Sequence, residues 1–334
     1  MSGRPPAASV LLLRDGRAEP RELDEVPALL AAGTGVVWVD VARPDDDVLD
    51  LLRATFRFHP LALSDSARRN PMPKLHSYPD HAFLVLHAPE RGLGGHMHSL
   101  ELDQFIGPGY LVTVHGPLNP ALDPRIALTE TDAVRARLDA GRLRPGSGHE
   151  LAAAIAAAVV RRLQRHLEEL TAEVWELERT VTSGHFGDAE QFLEEMFRVR
   201  HGLLSVATMA TLDHQVYERL TQLADVADDR GRELALDVVD RFARIATMAE
   251  SQRAYIQGVI EFYQTRTNTK MTIAAERLAV IAGVTLPVTA LSSVLGMNVI
   301  VSDETHWPLL ILLLAVMAAM SVAMLVWARR KGWW

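Results

Sequence analysis

The sequence predicts an α/β domain over residues 1–145, a long helical stalk over 146–277, and a two-helix transmembrane hairpin at the C-terminus. Three observations carry this. Short β-rich runs separated by turn residues fill the chain before Gly141. From Arg232 to Leu286 there is no proline, and apolar residues recur at helical spacing. After Leu278, two uncharged runs are separated by only about ten residues, the length of a tight connection.

Taken in order, "SVLLL", "GVVWVDVA", "HAFLVLHAP", "HSLELDQFI" and "YLVTVHG" read as strands, the last two joined at "GPG". "RPDDDVLDLLRATF" opens a helix with proline and Asp45, Asp46 and Asp47 at its start, where acids oppose the helix dipole. "GRLRPGSGH" (141–149) is a linker into helices over His149–Val181 and Ala189–Leu223, which "TSGHFGD" separates. Glu168, Glu169 and Glu178 sit among arginines and belong to solvated faces or ion pairs. Val238, Phe242, Ile245, Ala249, Ile256, Val259 and Tyr263 then mark one stripe of a continuous helix from Arg232 to Leu295. A helix of that length is unstable alone and needs partners.

The two apolar runs differ. Leu309–Val326 is uncharged, with Trp307 and Trp327 at its ends and Arg329, Arg330 and Lys331 after it. Its length of roughly 27 Å matches a bilayer core. The hairpin divides into a first span at 278–298, an external loop at 299–308, a second span at 309–328 and a basic tail at 329–334. Arg277 and the basic triplet flank the hairpin, while Asp303 and Glu304 lie in its loop. This places both termini in the cytoplasm and the loop outside, and the expected location is the inner or plasma membrane of a bacterial-type cell. The first span carries Thr285, Thr289, Ser292, Ser293 and Gly296, a polar stripe suited to a helix partner or to water, and Pro287 should bend it. One hairpin cannot enclose a pore, so a pore requires several copies.

Composition narrows the function. A formal net charge of −8 argues against nucleic acid and suits a protein that attracts cations. With no cysteine, disulfides and thiolate chemistry are excluded. No P-loop or dinucleotide fingerprint occurs, so neither nucleotide nor enzyme activity is expected. His96 and His98 share a strand face and form a zinc, nickel or cobalt pair only if a third ligand joins them. Glu276 reads either as an acidic ring or as a partner of Arg277 or Lys270.

Gly296-Met297-Asn298, at the end of the first of two C-terminal spans, resembles the signature of the CorA family of magnesium and cobalt channels. "HPLALSD", "PKLHSYPDHAFLVLHAP" and "LDQFIGPGYLVTVHG" resemble that family's N-terminal domain. The resemblance implies a funnel-shaped homopentamer that passes Mg²⁺ and Co²⁺ inward down the membrane potential. Ni²⁺ and Zn²⁺ are further candidate cations. Gly296, Met297 and Asn298 would form the outer selectivity ring, with Thr289 a pore hydroxyl below it. Asn268, Thr272, Ala275, Leu278, Leu286 and Ser293 would line the pore and its gate, with Ala275 small where the family often has methionine. Asp65 and Asp237 would hold regulatory Mg²⁺ between neighbouring subunits. Two other readings compete. One is a transporter similar to ZntB, moving Zn²⁺ with proton coupling. The other is a membrane-anchored interaction protein, which leaves the hydroxyl stripe and the signature unexplained.

Overall fold

The computed structural model describes residues 7–92, 95–117, 123–184, 188–223, 228–296 and 307–331. They fall into two compact units, the residues up to Gly258 and those from Val259 onward.

The first unit is built on a seven-stranded sheet. Strands β1 (Ala8–Arg14) and β2 (Arg17–Arg21) form a hairpin, and β3 (Val36–Val41) pairs with the other edge of β1. Strands β4 (Lys74–Ser77), β5 (Ala82–Arg91), β6 (Met97–Gly107) and β7 (Tyr110–His115) run antiparallel to one another. The parallel β3–β7 pair joins the halves in the order β2-β1-β3-β7-β6-β5-β4. Gly107 faces Tyr110, so Pro108 and Gly109 form the turn expected at "GPG". Sequence periodicity misses β2 and β4. "RAEPR" and "KLHS" are short and polar, and both strands lie at sheet edges, where burial imposes no apolar alternation.

One face of the sheet packs on three short helices, α1 (Val26–Ala32), α2 (Asp46–Phe56) and α3 (Pro60–Ser66). Alternate strand residues Val37, Val39, Val41, Phe83, Val85, Val112 and Val114 meet Leu52, Phe56, Ala62 and Leu63 there. The period of two puts every second side chain into this core. Phe58 stacks on Phe105 at 4.1 Å and on Phe56 at 5.0 Å. Asp45 caps α2, its carboxylate accepting from the Val48 amide at 3.1 Å, in keeping with the acidic start read from sequence.

The other face is covered by α5 (Gly148–Ser183) and α6 (Ala189–Thr221), with α4 (Thr129–Asp139) beside α5. The Ser147 hydroxyl caps α5 by accepting from the Glu150 amide at 3.1 Å. A Cβ on Gly148 would come within 2.2 Å of the Tyr110 carbonyl, so only glycine lets this helix start against the β6–β7 turn. This face also buries polar groups. Trp38 Nε1 donates to Thr113 Oγ1 at 3.0 Å, and Thr113 Oγ1 donates to Asp40 at 2.6 Å. Arg162 donates to both oxygens of Glu130 at 3.0 Å and also reaches Glu90.

Helix α7 (Asp229–Gly296) is 68 residues long and continues into the second unit. Val238, Phe242, Ile245, Ala249, Ile256, Val259 and Tyr263 are all buried, so the periodic stripe is the packing face. Beyond it the character reverses. Leu278, Ile281, Leu286 and Val294 are exposed, as are Ile311, Leu312 and Leu314 of α8 (Trp307–Arg330). Both helices contain a stretch long and apolar enough to cross a membrane, and neither stretch is covered by protein.

Candidate functional site

The end of α7 is the first part of the site. Asn268, Thr272, Ala275, Leu278, Leu286, Thr289 and Ser293 are all exposed on this helix. At about 100° per residue they fall within an arc of roughly 120°, so seven positions separated by 25 residues share one face. The hydroxyls on this helix are internally bonded. Thr272 donates to the Asn268 carbonyl at 3.0 Å, Thr285 to Ile281 at 2.8 Å and Thr289 to Thr285 at 2.8 Å. A hydroxyl that spends its proton on the backbone turns oxygen lone pairs outward, the polarity a cation or its hydration shell requires.

Pro287 lies inside α7 without ending it. Its missing N–H leaves the carbonyl of residue 283 without its helical donor. Residue 283 is glycine, and no other side chain crowds its Cβ position, which eases the close approach of the ring. Gly296 is the last residue of α7. Met297 and Asn298, the other members of the sequence-predicted outer ring, lie outside the described residues.

Asp65 is the second part. It sits in α3, and its carboxylate is 2.6 Å from Lys74 Nζ. A buried network holds it in place. Asn70 Nδ2 donates to the Asp65 carbonyl at 3.0 Å and also to Glu101, while the Asn70 amide donates to Glu101 at 2.7 Å. Asp103, two residues along β6 and fully buried, is pushed well above the usual carboxylate range by burial and by the Glu101 charge. Burial also raises Glu101, against the two bonds from Asn70. Of the two, Asp103 is the more strongly raised, because it is the more deeply buried and faces the Glu101 charge. Lys74 faces all three acids, which makes it the local counter-cation.

Asp237 is the third part. It is exposed on α7, and Arg241, one turn later, donates to it at 2.8 Å. It borders a cleft between α4, α5 and α7 that is rich in arginine. Asp65 does not line this cleft. Within one chain the two sequence-predicted regulatory carboxylates thus occupy separate places, each already paired with a cation. Their oxygens suit a hard divalent ion. A metal at either would compete with Lys74 or Arg241.

Arg241 was legible as an i, i+4 partner of Asp237. Lys74, Asn70, Glu101 and Asp103 were not, because they reach Asp65 only through the β4–β5–β6 register. Glu276 makes no ion pair among the described residues; of the acids read as solvated or paired, Glu168 accepts a 2.9 Å bond from Gln164, the charge of Glu169 acts on Arg91, and Glu178 bonds Tyr255. His98 stands in β6 across from Glu90, its ring over Gly92, where a Cβ would lie 2.1 Å from Nε2. No group of three or more metal-ligating side chains occurs among the described residues, so the histidine pair gains no third ligand there.

Residues 33–330 match the family model described as CorA-like Mg²⁺ transporter protein. The chain belongs to this family. The CorA-like family consists of membrane-integral channels and transporters of divalent cations, not enzymes. The putative metal ion transporter YfjQ of Bacillus subtilis (strain 168) is 27% identical over 300 residues, covering 89% of each chain. The cobalt/magnesium transport protein CorA of Thermotoga maritima is 22% identical over 305 residues, covering 89% of this chain and 83% of that one. Among solved structures, the complete CorA magnesium transporter from Methanocaldococcus jannaschii shares the fold with a TM-score of 0.79 at 16% identity, covering 99% of this chain and 100% of that one. The ZntB cytoplasmic domain from Vibrio parahaemolyticus shares it with a TM-score of 0.61 at 11% identity, over 78% of this chain and 98% of that one.

Proposed function

We propose that this CorA-like protein is a homopentameric channel that admits Mg²⁺ and Co²⁺ passively, driven by the membrane potential. The observation that carries the reading is the alignment of Asn268, Thr272, Ala275, Leu278, Leu286, Thr289 and Ser293 on one face of α7, polar at both ends and apolar at Leu278 and Leu286. Five copies of that line around an axis make a water-lined path with two narrow apolar rings. Apolar constrictions close by dewetting. At the outer mouth, five Gly296 carbonyls and Asn298 amides would receive a hydrated ion, aided by the negative ends of five helix dipoles. Mg²⁺ sheds water reluctantly, so neutral oxygens suit its hydrated form. Both termini lie in the cytoplasm, where Asp65 and Asp237 of neighbouring subunits hold Mg²⁺ and keep the pore closed.

The experiment is flux into liposomes carrying the purified full-length protein, with Mg²⁺ and Zn²⁺ tested separately and the proton gradient and internal Mg²⁺ varied. Mg²⁺ entry without a proton gradient, closed by Mg²⁺ on the cytoplasmic side, is expected. Zn²⁺ flux that follows the proton gradient and ignores internal Mg²⁺ would replace this reading with the ZntB-like one. One observation favours that second reading. Asp65 and Asp237 already hold Lys74 and Arg241, which lowers the reward for binding a regulatory metal.

A further inference from the structure

The cleft beside Asp237 carries an unusual charge. It has a volume of about 450 Å³, within the range of small-molecule sites, and its wall contains six arginines against two carboxylates. The carboxylates are spoken for: Glu150 pairs with Arg230 at 3.5 Å and Asp237 with Arg241 at 2.8 Å. Arg137, Arg142, Arg144 and Arg161 make no ion pair among the described residues. They arrive from different elements. Arg137 is in the last turn of α4, Arg142 and Arg144 follow the left-handed turn at Gly141, and Arg161 is on α5. Arg161 is held below the usual guanidinium range by burial and by the charges of Arg137 and Arg241. A second groove shares Arg161, Asp237 and Arg241 and adds Arg244, so the positive surface extends along α7.

The cleft exists because of small residues. Ala153, Ala154 and Ala157 form its floor on α5, and the apolar Leu234 and Val238 stand opposite on α7. Like charges gathered over such a floor repel one another, and among the described residues the charge of Glu130 offsets that repulsion at Arg161 only in part. Guanidinium groups approaching from three sides match the oxygens of linked phosphates, which accept paired N–H donors. A single phosphate cannot occupy so many forks at once.

We infer that the α4–α5–α7 cleft is a binding site for a small anion bearing two or more linked phosphates. The inference does not rest on which cation is transported. Its competitor is a second copy of this chain, whose carboxylates could occupy the same arginines at a subunit contact.

The test is calorimetric titration of the full-length protein in detergent with sodium pyrophosphate, in metal-depleted buffer at physiological salt. Saturable binding of one pyrophosphate per chain is expected, with inorganic phosphate at least about tenfold weaker. Arg161→Gln combined with Arg241→Gln should weaken pyrophosphate by at least about tenfold, and Arg137→Gln alone by a smaller factor. Arg53→Gln, on α2 outside the cleft, should leave binding unchanged, and thermal melting checks that each variant is folded. No binding by the wild type, equal binding of phosphate and pyrophosphate, or unaltered affinity in folded cleft variants would each overturn the site. So would loss of binding that accompanies dissociation of the oligomer by light scattering in the Arg137→Gln protein, since the arginines would then belong to a subunit contact.

Discussion

The α/β unit and the membrane stretches of α7 and α8 invert each other. The first buries polar groups inside an apolar core: Asp40, Asp103, Asp213, His87 and His115 are all nearly inaccessible. The second exposes leucine, isoleucine and valine along whole helix faces and leaves its threonines on the surface. The two use different solvents. In water, burying apolar area is the driving force, and a buried polar group persists only with partners or with its charge removed. In lipid, apolar exposure costs nothing, and polar groups on a span collect where water or another helix will meet them. An exposed threonine on α7 is therefore informative, whereas an exposed threonine on the α/β unit is ordinary.

That contrast can be broken at its strongest point first. Asn298→Ala should abolish cation flux in the liposome assay while the purified oligomer keeps its size. Normal flux would remove the outer ring from the ion path and make the polar stripe a packing device. Phe58→Ala should act in the opposite place. It removes a fully buried ring from the stack with Phe56 and Phe105, at a cost of about 3–5 kcal/mol in the stability of the α/β unit. Chemical denaturation would measure it, and a loss below 1 kcal/mol would mean that this core is not close-packed.

The third prediction concerns pH. His87 is buried between the Asn70 carbonyl, 3.0 Å from Nε2, and Asp213, which accepts from its backbone amide at 3.1 Å. Burial lowers its imidazole to about 4. A depressed histidine stabilises the fold above its unfolded value near 6.5, and that contribution is lost as pH falls from there toward 4. The neighbouring acids Asp103, Glu101 and Asp213 are raised by burial and oppose this trend. The stability difference between wild type and His87→Asn should therefore shrink by up to about 3 kcal/mol across that window. A difference that stays constant with pH would show that His87 titrates normally.

The smallest effect is the most specific to regulation. Arg241→Gln frees Asp237 from an exposed i, i+4 pair worth about 0.5 kcal/mol. The internal Mg²⁺ concentration for half-closure should fall about twofold, as that energy implies. Asp237→Ala should raise it. Unchanged Mg²⁺ inhibition in both variants would take Asp237 out of the gate.

Much of this was written in local sequence. The continuous apolar runs of β3, β5 and β7 mark strands that the fold buries on both faces, and the stripe from Val238 to Tyr263 states which face of its helix is buried, because side-chain direction follows the local backbone repeat. The membrane stretches were legible for the same reason, since span length is set by bilayer thickness alone. Gly296-Met297-Asn298 and the threonine spacing on α7 likewise needed no partner to be recognised. The surroundings of Asp65 did need one. Lys74, Asn70, Glu101 and Asp103 surround it only once β4, β5 and β6 are in register, and they lie up to 38 positions away in sequence. The arginine cleft is of the same kind. Arg137, Arg161 and Arg241 are unremarkable on their own helices and become one site when α4, α5 and α7 pack. Periodicity within a segment is a property of the backbone and can be read from the sequence alone. The field at a point sums charges from distant segments, and only tertiary structure decides which of them are near.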